Sequence, residues 1–112
     1  MKVPLSRLAH TRSGDKGDVA NIGVIAWTPQ AYQMLLRELT AERVHAFFAD
    51  RVVGPVTRYE LPNLHALNFV MERALGGGGT VSLRVDSQGK TYGAALLRLE
   101  VDADEFESDK EP

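Results

Sequence analysis

Apolar and polar residues recur along this chain with the two spacings that are typical of strands and helices. The run over residues 19–27 is apolar almost throughout, which predicts a strand covered on both faces. Shorter stretches alternate between apolar and polar side chains and bring the number of predicted strands to five. These alternating stretches are residues 3–10, 56–61, 81–85 and 92–101.

The alternation over residues 56–61 assigns its side chains to two faces of a sheet. Thr57, Tyr59 and Leu61 lie on one face, while Arg58 and Glu60 lie on the other. We expect the arginine and the glutamate to be on the outward face, because paired charges suit a solvated or subunit-covered surface.

Residues 29–50 carry apolar side chains at helical spacing. Thr28 is a good N-cap and Pro29 suits the first helical position. A second start signal at Thr40 leaves two alternatives open, one bent helix or two helices in tandem.

A further helix is predicted over residues 63–75, directly after Pro62. At about 100° per residue, one side of this helix carries an apolar stripe. The stripe consists of Leu64, Leu67, Met71, Ala74 and Leu75. Asn68 falls within it, either as a core amide or as a polar group facing a cleft, and Phe69 falls outside it and is expected to be exposed.

Two helical regions cannot cover both faces of a five-stranded sheet, so the pattern predicts an α+β fold. We expect a ferredoxin-like two-layer sandwich, with a mainly antiparallel sheet and helices on one face. Residues 1–101 form this domain, and residues 102–112 form a separate tail. The tail contains six acidic residues and one lysine, which is typical of a solvated, disordered extension. Shielding of a basic face is the alternative role for the tail.

The overall composition is that of a globular protein and adds few further constraints on the function. With 112 residues, 44% hydrophobic and 25% charged, the chain suits one domain with a proper core. The absence of cysteine excludes disulfide and thiolate chemistry. There is no apolar run of about 20 residues and no signal-peptide pattern, so we expect a cytoplasmic protein that does not bind membranes.

The stretch from Arg12 to Asp18 is the strongest candidate for a functional site. Two glycines and four charged residues precede the buried strand, which predicts a tight, specified turn. Asp15 or Asp18 could supply a general base, and Lys16 with glycine amides could hold an anion. The alternative is a turn whose aspartates cap their own backbone.

Other motifs give no support to cofactor, metal or nucleic-acid binding. The run Gly76–Gly79 follows a helix and lacks the Lys-Ser/Thr of a phosphate loop, so a helix cap and linker is favoured. The three histidines have no metal-ligand spacing. The predicted outward face carries Arg/Glu pairs rather than the aromatic residues on which RNA bases stack. We therefore expect no metal, no cofactor and no nucleic-acid partner.

Several motifs agree in order with one known family. They are Arg12-Ser13-Gly14-Asp15-Lys16-Gly17-Asp18, Asn21-Ile22-Gly23, Arg58-Tyr59-Glu60-Leu61-Pro62-Asn63, Leu67-Asn68-Phe69, Gly76-Gly77-Gly78 and Gln88-Gly89-Lys90-Thr91. Together they resemble the ferredoxin-fold C-terminal domain of the acyclic terpene utilisation (AtuA-like) family, over about residues 4–101. The chain departs from the full-length family in lacking the large N-terminal domain, so the resemblance implies no activity that depends on that domain.

The resemblance implies a setting, the catabolism of acyclic terpenoid and branched acids as coenzyme A thioesters. It implies an accessory or half-site subunit that assembles with itself and with a separately encoded large AtuA-type partner. The alternative is a small acyl-CoA hydratase or lyase that uses the turn Asp15-Lys16-Gly17-Asp18. Catalytic candidates are Asp15, Lys16 and Asp18, and ligand-binding candidates are Arg12, Ser13, Asn21, Arg58, Asn63, Asn68 and Lys90.

Overall fold

The structure is a computed structural model that describes residues 2–74 and 92–103. Its strands are β1 (Lys2–Pro4), β2 (Ala9–Lys16), β3 (Val19–Ala26), β4 (Val56–Leu61), β5 (Ala66–Glu72) and β6 (Glu100–Asp102). Its α-helices are α1 (Pro29–Glu38) and α2 (Ala41–Phe48), and residues 92–96 are also helical. Short 3-10 helices cover Leu5–Arg7, Ala49–Arg51 and Pro62–Leu64.

A four-stranded antiparallel sheet with the order β2-β3-β5-β4 forms the centre of the described fold. β1 and β6 pair separately as a small antiparallel ribbon. Both central strands are apolar on the side that faces the helices, where Ile22 pairs with Phe69 and both are fully buried. The predicted α+β, ferredoxin-like class, with a mainly antiparallel sheet, is confirmed.

The helical region is two helices in tandem, as one of the two alternatives predicts. The Thr28 hydroxyl accepts a hydrogen bond from the Ala31 amide at 3.0 Å, and the Thr40 hydroxyl accepts one from Arg43 at 3.1 Å. Each threonine thus satisfies an amide that the first turn of its helix leaves unpaired. The apolar sides of both helices then pack on the sheet, and the buried residues include Leu35 and Val44.

The prediction of a helix over residues 63–75 is wrong. After a short 3-10 turn, residues 66–72 form β5, a central strand of the sheet. Leu67, Phe69 and Met71 are spaced two apart as well as at partial helical spacing, and pairing with β3 selects the strand. Phe69 is therefore fully buried, whereas Leu64, which the helical stripe would bury, is 65% exposed.

Two other predicted strands also differ from the structure. The strand 3–10 is interrupted by the 3-10 turn at Leu5–Arg7, and β2 begins only at Ala9. Residues 92–96 are helical instead of extended, which buries Tyr92 and Leu96 on one side, four residues apart. The predictions for the glycine run 76–79, the strand 81–85, the turn 86–89 and the tail beyond residue 103 lie outside the described residues.

Candidate functional site

One face of the four-stranded sheet packs on the helices, and no helix among the described residues covers the other. We call this second side the open face. The cross-strand pairs place alternate residues of each strand on it. Its members are His10, Arg12, Gly14 and Lys16 from β2, Val19, Asn21, Gly23 and Ile25 from β3, Thr57, Tyr59 and Leu61 from β4, and Ala66, Asn68, Val70 and Glu72 from β5.

Two asparagines form the polar centre of the open face. Asn21 Nδ2 donates a hydrogen bond to Asn68 Oδ1 at 3.3 Å, and both side chains are half-buried. Asn21 pairs with Gly14 across the sheet, and Asn68 pairs with Gly23. A methyl group at Gly14 would lie 3.2 Å from Asn21 Oδ1, so glycine leaves the room that this amide occupies.

The asparagine pair keeps hydrogen-bonding capacity for another molecule. A carboxamide carries two donor hydrogens and an oxygen with two lone pairs. The bond between the two side chains uses one hydrogen of Asn21 and one acceptor site on Asn68. The amino group of Asn68 and the oxygen of Asn21 can therefore form hydrogen bonds with a molecule that offers both an acceptor and a donor.

Two cations lie beside this amide pair on edge strand β2. Arg12 and Lys16 are both on the open face and both exposed. Neither forms an ion pair with a carboxylate in the part of the chain that the structure describes. This edge of the sheet is consequently suited to an anionic group.

Apolar side chains surround the polar centre. Val19, Tyr59 and Leu61 are exposed by 37%, 52% and 40% respectively, although they lie on strands of the central sheet. At the Leu61 end of the sheet, the His10 ring stacks on Trp27 with centroids 4.7 Å apart. The alternation in β4 is as predicted, but the assignment of its two faces is wrong. Tyr59 lies on the open face, and Arg58 lies on the helix face.

Arg58 contributes to the fold rather than to this face. Its Nη1 donates to the carbonyl oxygens of Leu36 at 3.1 Å and Leu39 at 3.0 Å, and its Nη2 lies 2.8 Å from Glu60 Oε2. The last carbonyls of a helix have no partner within the helix. Arg58 therefore caps the end of α1, and this explains why a charged residue lies under the helices.

The predicted turn from Arg12 to Asp18 is much shorter in the structure. Residues up to Lys16 belong to β2, and Gly17 and Asp18 alone form a two-residue hairpin turn. Gly17 has a φ of 63°, the left-handed value that a type II′ turn requires at its first central position.

Consecutive strand residues point to opposite faces of the sheet, so the predicted catalytic candidates do not all lie on the same face. Lys16 is on the open face, whereas Ser13 and Asp15 are on the helix face together with Thr11, whose hydroxyl donates to the Gly93 carbonyl at 2.9 Å. Asp15 Oδ2 is buried and has no hydrogen-bond partner among the described residues. Asp15 and Lys16 therefore do not meet in one cleft.

The remaining candidates lie away from the asparagine pair. The carbonyl oxygen of Asp18 accepts the Ala74 amide at 3.0 Å, which fixes the hairpin turn to the end of β5. Asn63 is exposed in the 3-10 turn between β4 and β5. Lys90 lies outside the described residues. The structure thus brings together four of the candidates, namely Arg12, Lys16, Asn21 and Asn68.

Buried tyrosines lie on the helix side. The Tyr92 hydroxyl donates to the carbonyl oxygen of Ala74, and the carbonyl oxygen of Arg51 lies 3.3 Å from it. Burial raises the pKa of Tyr92, with the Arg51 charge acting in the opposite direction. Burial also raises the pKa of Tyr32, whose hydroxyl has no partner among the described residues. Both rings therefore stay neutral at physiological pH and act as packing residues.

The described residues contain neither a metal-binding cluster nor a membrane-spanning helix. Over residues 2–74 and 92–103, no three His, Asp or Glu side chains come close enough together to hold a metal ion. The helices in this part of the chain are also too short or too polar to cross a membrane.

Comparison with known proteins gives one match. A family model described as the AtuA ferredoxin-like domain matches residues 3–102, which is most of the chain. No curated protein and no solved structure matches the chain significantly.

Proposed function

The chain belongs to the AtuA ferredoxin-like domain family, and from this premise we propose that it is an accessory subunit. In this proposal the open face docks on a larger, separately encoded AtuA-type protein. The pair acts in the catabolism of acyclic terpenoid or branched acyl-CoA compounds in the cytoplasm. The observation that carries the proposal is the open face itself, a sheet surface with exposed apolar side chains, a central pair of asparagines and two cations on its edge strand β2.

The composition of the open face supports a protein partner. Protein interfaces are enriched in tyrosine and arginine relative to the rest of the surface. Tyr59 combines a large ring with a hydroxyl group, and its side chain is more than half exposed in the free chain. A solvated sheet face would be expected to carry polar residues at alternate positions, but here Val19, Ile25 and Val70 occupy such positions.

The polar centre supports selectivity for one partner. A partner that offers a donor and an acceptor would form hydrogen bonds with the unpaired groups of Asn21 and Asn68. An apolar partner surface would instead bury these groups without a hydrogen bond, at a cost of about 1–3 kcal/mol each. The exposed Arg12 and Lys16 further favour an acidic region on the partner, because complementary charges accelerate association.

Substitution of Tyr59 tests this proposal. The full chain is co-expressed with a large AtuA-type protein from the same genome, and the dissociation constant of the complex is measured by calorimetry. We expect Tyr59→Arg to weaken the complex at least about tenfold, because a charge replaces the exposed aromatic ring of the open face. Gln33→Arg, at an exposed position of α1 on the helix side, serves as the control and is expected to change nothing.

Three results would contradict the proposal. The first is equal affinity for the wild type and Tyr59→Arg. The second is an equal loss in the Gln33→Arg control, which would place the contact on the helix side. The third is a stable dimer of the chain alone that Tyr59→Arg dissociates, which would assign the open face to a second copy.

A specific observation favours an enzymatic alternative. The buried Asp15 Oδ2 lacks a partner among the described residues, and unpaired buried acceptors are uncommon outside functional sites. In this alternative Asp15 is the general base of a small acyl-CoA hydratase or lyase, and Lys16, on the opposite face, takes no part. The purified chain would then turn over an unsaturated acyl-CoA, and Asp15→Asn would reduce kcat about 100-fold or more. No turnover by the wild type across a panel of acyl chains would exclude this alternative.

A further inference from the structure

A cleft of about 340 Å³ opens on the helix side, away from the open face. Its walls come from the end of α2, the 3-10 turn that follows it and the chain after residue 94. The lining residues are Phe47, Phe48, Ala49, Arg51, Ala95 and Arg98, and we call this site the arginine cleft. Its volume is at the lower end of the range for small-molecule sites, so it has room for one compact ligand.

The arginine cleft carries two positive charges. The side chains of Arg51 and Arg98 are exposed, and no carboxylate among the described residues forms an ion pair with either of them. A guanidinium presents its N–H donors in one plane, which suits the oxygens of a phosphate or a carboxylate. The cleft is therefore suited to an anionic group with two negative charges.

Phe47 adds an aromatic surface to the arginine cleft. It is 37% exposed, and its ring meets the buried Phe48 edge to face with centroids 5.2 Å apart. Phe48 in turn packs on the buried Tyr92 with centroids 4.8 Å apart, so the Phe47 ring rests on a fixed support in the core. Accessible aromatic rings of this kind bind the flat bases of nucleotides by stacking.

The end of α2 determines which part of such a ligand lies beside it. The last carbonyls of a helix have no partner within the helix and form the negative pole of its dipole. They accept hydrogen bonds from the N–H groups of a base and repel an anionic group. The base therefore belongs beside Phe47 at the end of α2, and the anionic group belongs at the arginines.

Ala49, in the wall of the arginine cleft, has a strained backbone. Its φ is 50° and its ψ is −121°, a combination that residues other than glycine rarely adopt. Strained residues of this kind are concentrated at active sites and ligand-binding sites. The backbone of Ala49 thus marks the cleft as a candidate site independently of its charges.

We propose that the arginine cleft binds a nucleotide with a terminal phosphate, with the base on Phe47 and the phosphate at Arg51 and Arg98. A phosphate monoester carries a charge of about −1.5 to −2 at neutral pH, which matches two guanidinium groups. Each phosphate within a nucleic acid carries only one negative charge, so the cleft fits a small nucleotide better than RNA. Free AMP and coenzyme A both contain an adenosine with such a phosphate. The open face takes no part, so this proposal does not depend on the accessory-subunit proposal.

Calorimetric titration of the full chain with AMP tests the proposal. At low salt we expect a dissociation constant below about 1 mM. Adenosine and inorganic phosphate are each expected to bind at least about tenfold more weakly, because each lacks one half of the contacts. Arg98→Gln is expected to weaken AMP binding at least about tenfold, and Phe47→Leu at least about fivefold. Arg12→Gln removes the same charge from the open face and is the matched control, with no change expected.

Amide NMR spectra of the ¹⁵N-labelled chain locate the bound AMP. We expect the largest shift changes at Ala49 and Ala95, and dispersed signals from β3 and β5 confirm that each variant is folded. A coenzyme A titration distinguishes the two sources of the ligand. Binding at least as tight as that of AMP assigns the cleft to the coenzyme, and weaker binding assigns it to a free nucleotide, and either result supports the proposal.

Any of three outcomes overturns the proposal. The first is no binding of AMP up to about 10 mM. The second is equally tight binding of inorganic phosphate, which shows that the base is not recognised. The third is an equal loss of affinity in Arg12→Gln, with shift changes along β2, which places the bound AMP on the open face.

Discussion

Replacing Phe69 with alanine is expected to lower the free energy of unfolding by about 3–5 kcal/mol, the largest effect that we predict. Phe69 is fully buried on β5 and lies opposite Ile22 in the centre of the sheet. Removing the ring loses its burial and leaves a cavity that neighbouring strands cannot fill. Urea denaturation of the full chain, followed by the fluorescence of Trp27, measures the change.

Leu64→Ala is the matched control for this prediction. Leu64 is 65% exposed in the 3-10 turn, so its truncation should change the free energy of unfolding by no more than about 0.5 kcal/mol. A helix over residues 63–75 would reverse the order, with the greater loss at Leu64. Equal or reversed effects would therefore contradict the assignment of β5.

Arg58→Ala is expected to lower the free energy of unfolding by about 2–3 kcal/mol. The guanidinium donates to the Leu36 and Leu39 carbonyls through a single nitrogen, Nη1. We expect the two bonds together to contribute within the range of about 1.5–3 kcal/mol known for one hydrogen bond from a charged group, because water can replace the donor at this partly buried site. Its removal leaves these two carbonyls at the end of α1 without their donor. The same urea titration measures the loss, and the affinity for the proposed AtuA-type partner should stay unchanged.

Glu60→Gln separates the cap from the ion pair that accompanies it. The Glu60 side chain is 51% exposed, so its contact with Arg58 should contribute less than about 1 kcal/mol. A larger effect at Glu60 than at Arg58 would show that the ion pair, and not the helix cap, stabilises the fold.

Local signals in the sequence were sufficient where the stabilising contact is itself local. Thr28, Pro29 and Thr40 predict both helix starts, because a cap depends only on neighbouring residues in the chain. The strand 19–27 is equally well predicted, since its apolar run suits a central position in a sheet.

The sequence was insufficient where a distant segment decides the structure. Residues 66–72 satisfy both the helical and the strand period in part, and hydrogen bonding to β3 selects the strand. The wrong assignment of the two faces of β4 has the same cause. The alternation of Thr57 to Leu61 gives two faces, but only pairing with β5 shows which of them meets the helices.

The candidate site was likewise only partly predictable from the sequence. Arg12, Lys16, Asn21 and Asn68 are identified from the sequence motifs, but their common location depends on the register of three strands. Tyr59 and Val19 were not among the candidates, although Tyr59 faces Asn68 directly across β4 and β5. Reading the β4 alternation in the opposite direction would have placed Tyr59 with them.

Solvent access to methyl groups tests the central claim, that the open face is the surface which meets the partner. A soluble paramagnetic agent is added to the methyl-labelled chain, alone and bound to the large AtuA-type protein, and the relaxation of each methyl signal is compared. The account predicts that Val19 and Val70 lose most of their relaxation enhancement in the complex, while Val53, which is 68% exposed and not on the open face, keeps it. Loss of the enhancement at Val53 with none at Val19 and Val70 would contradict the account.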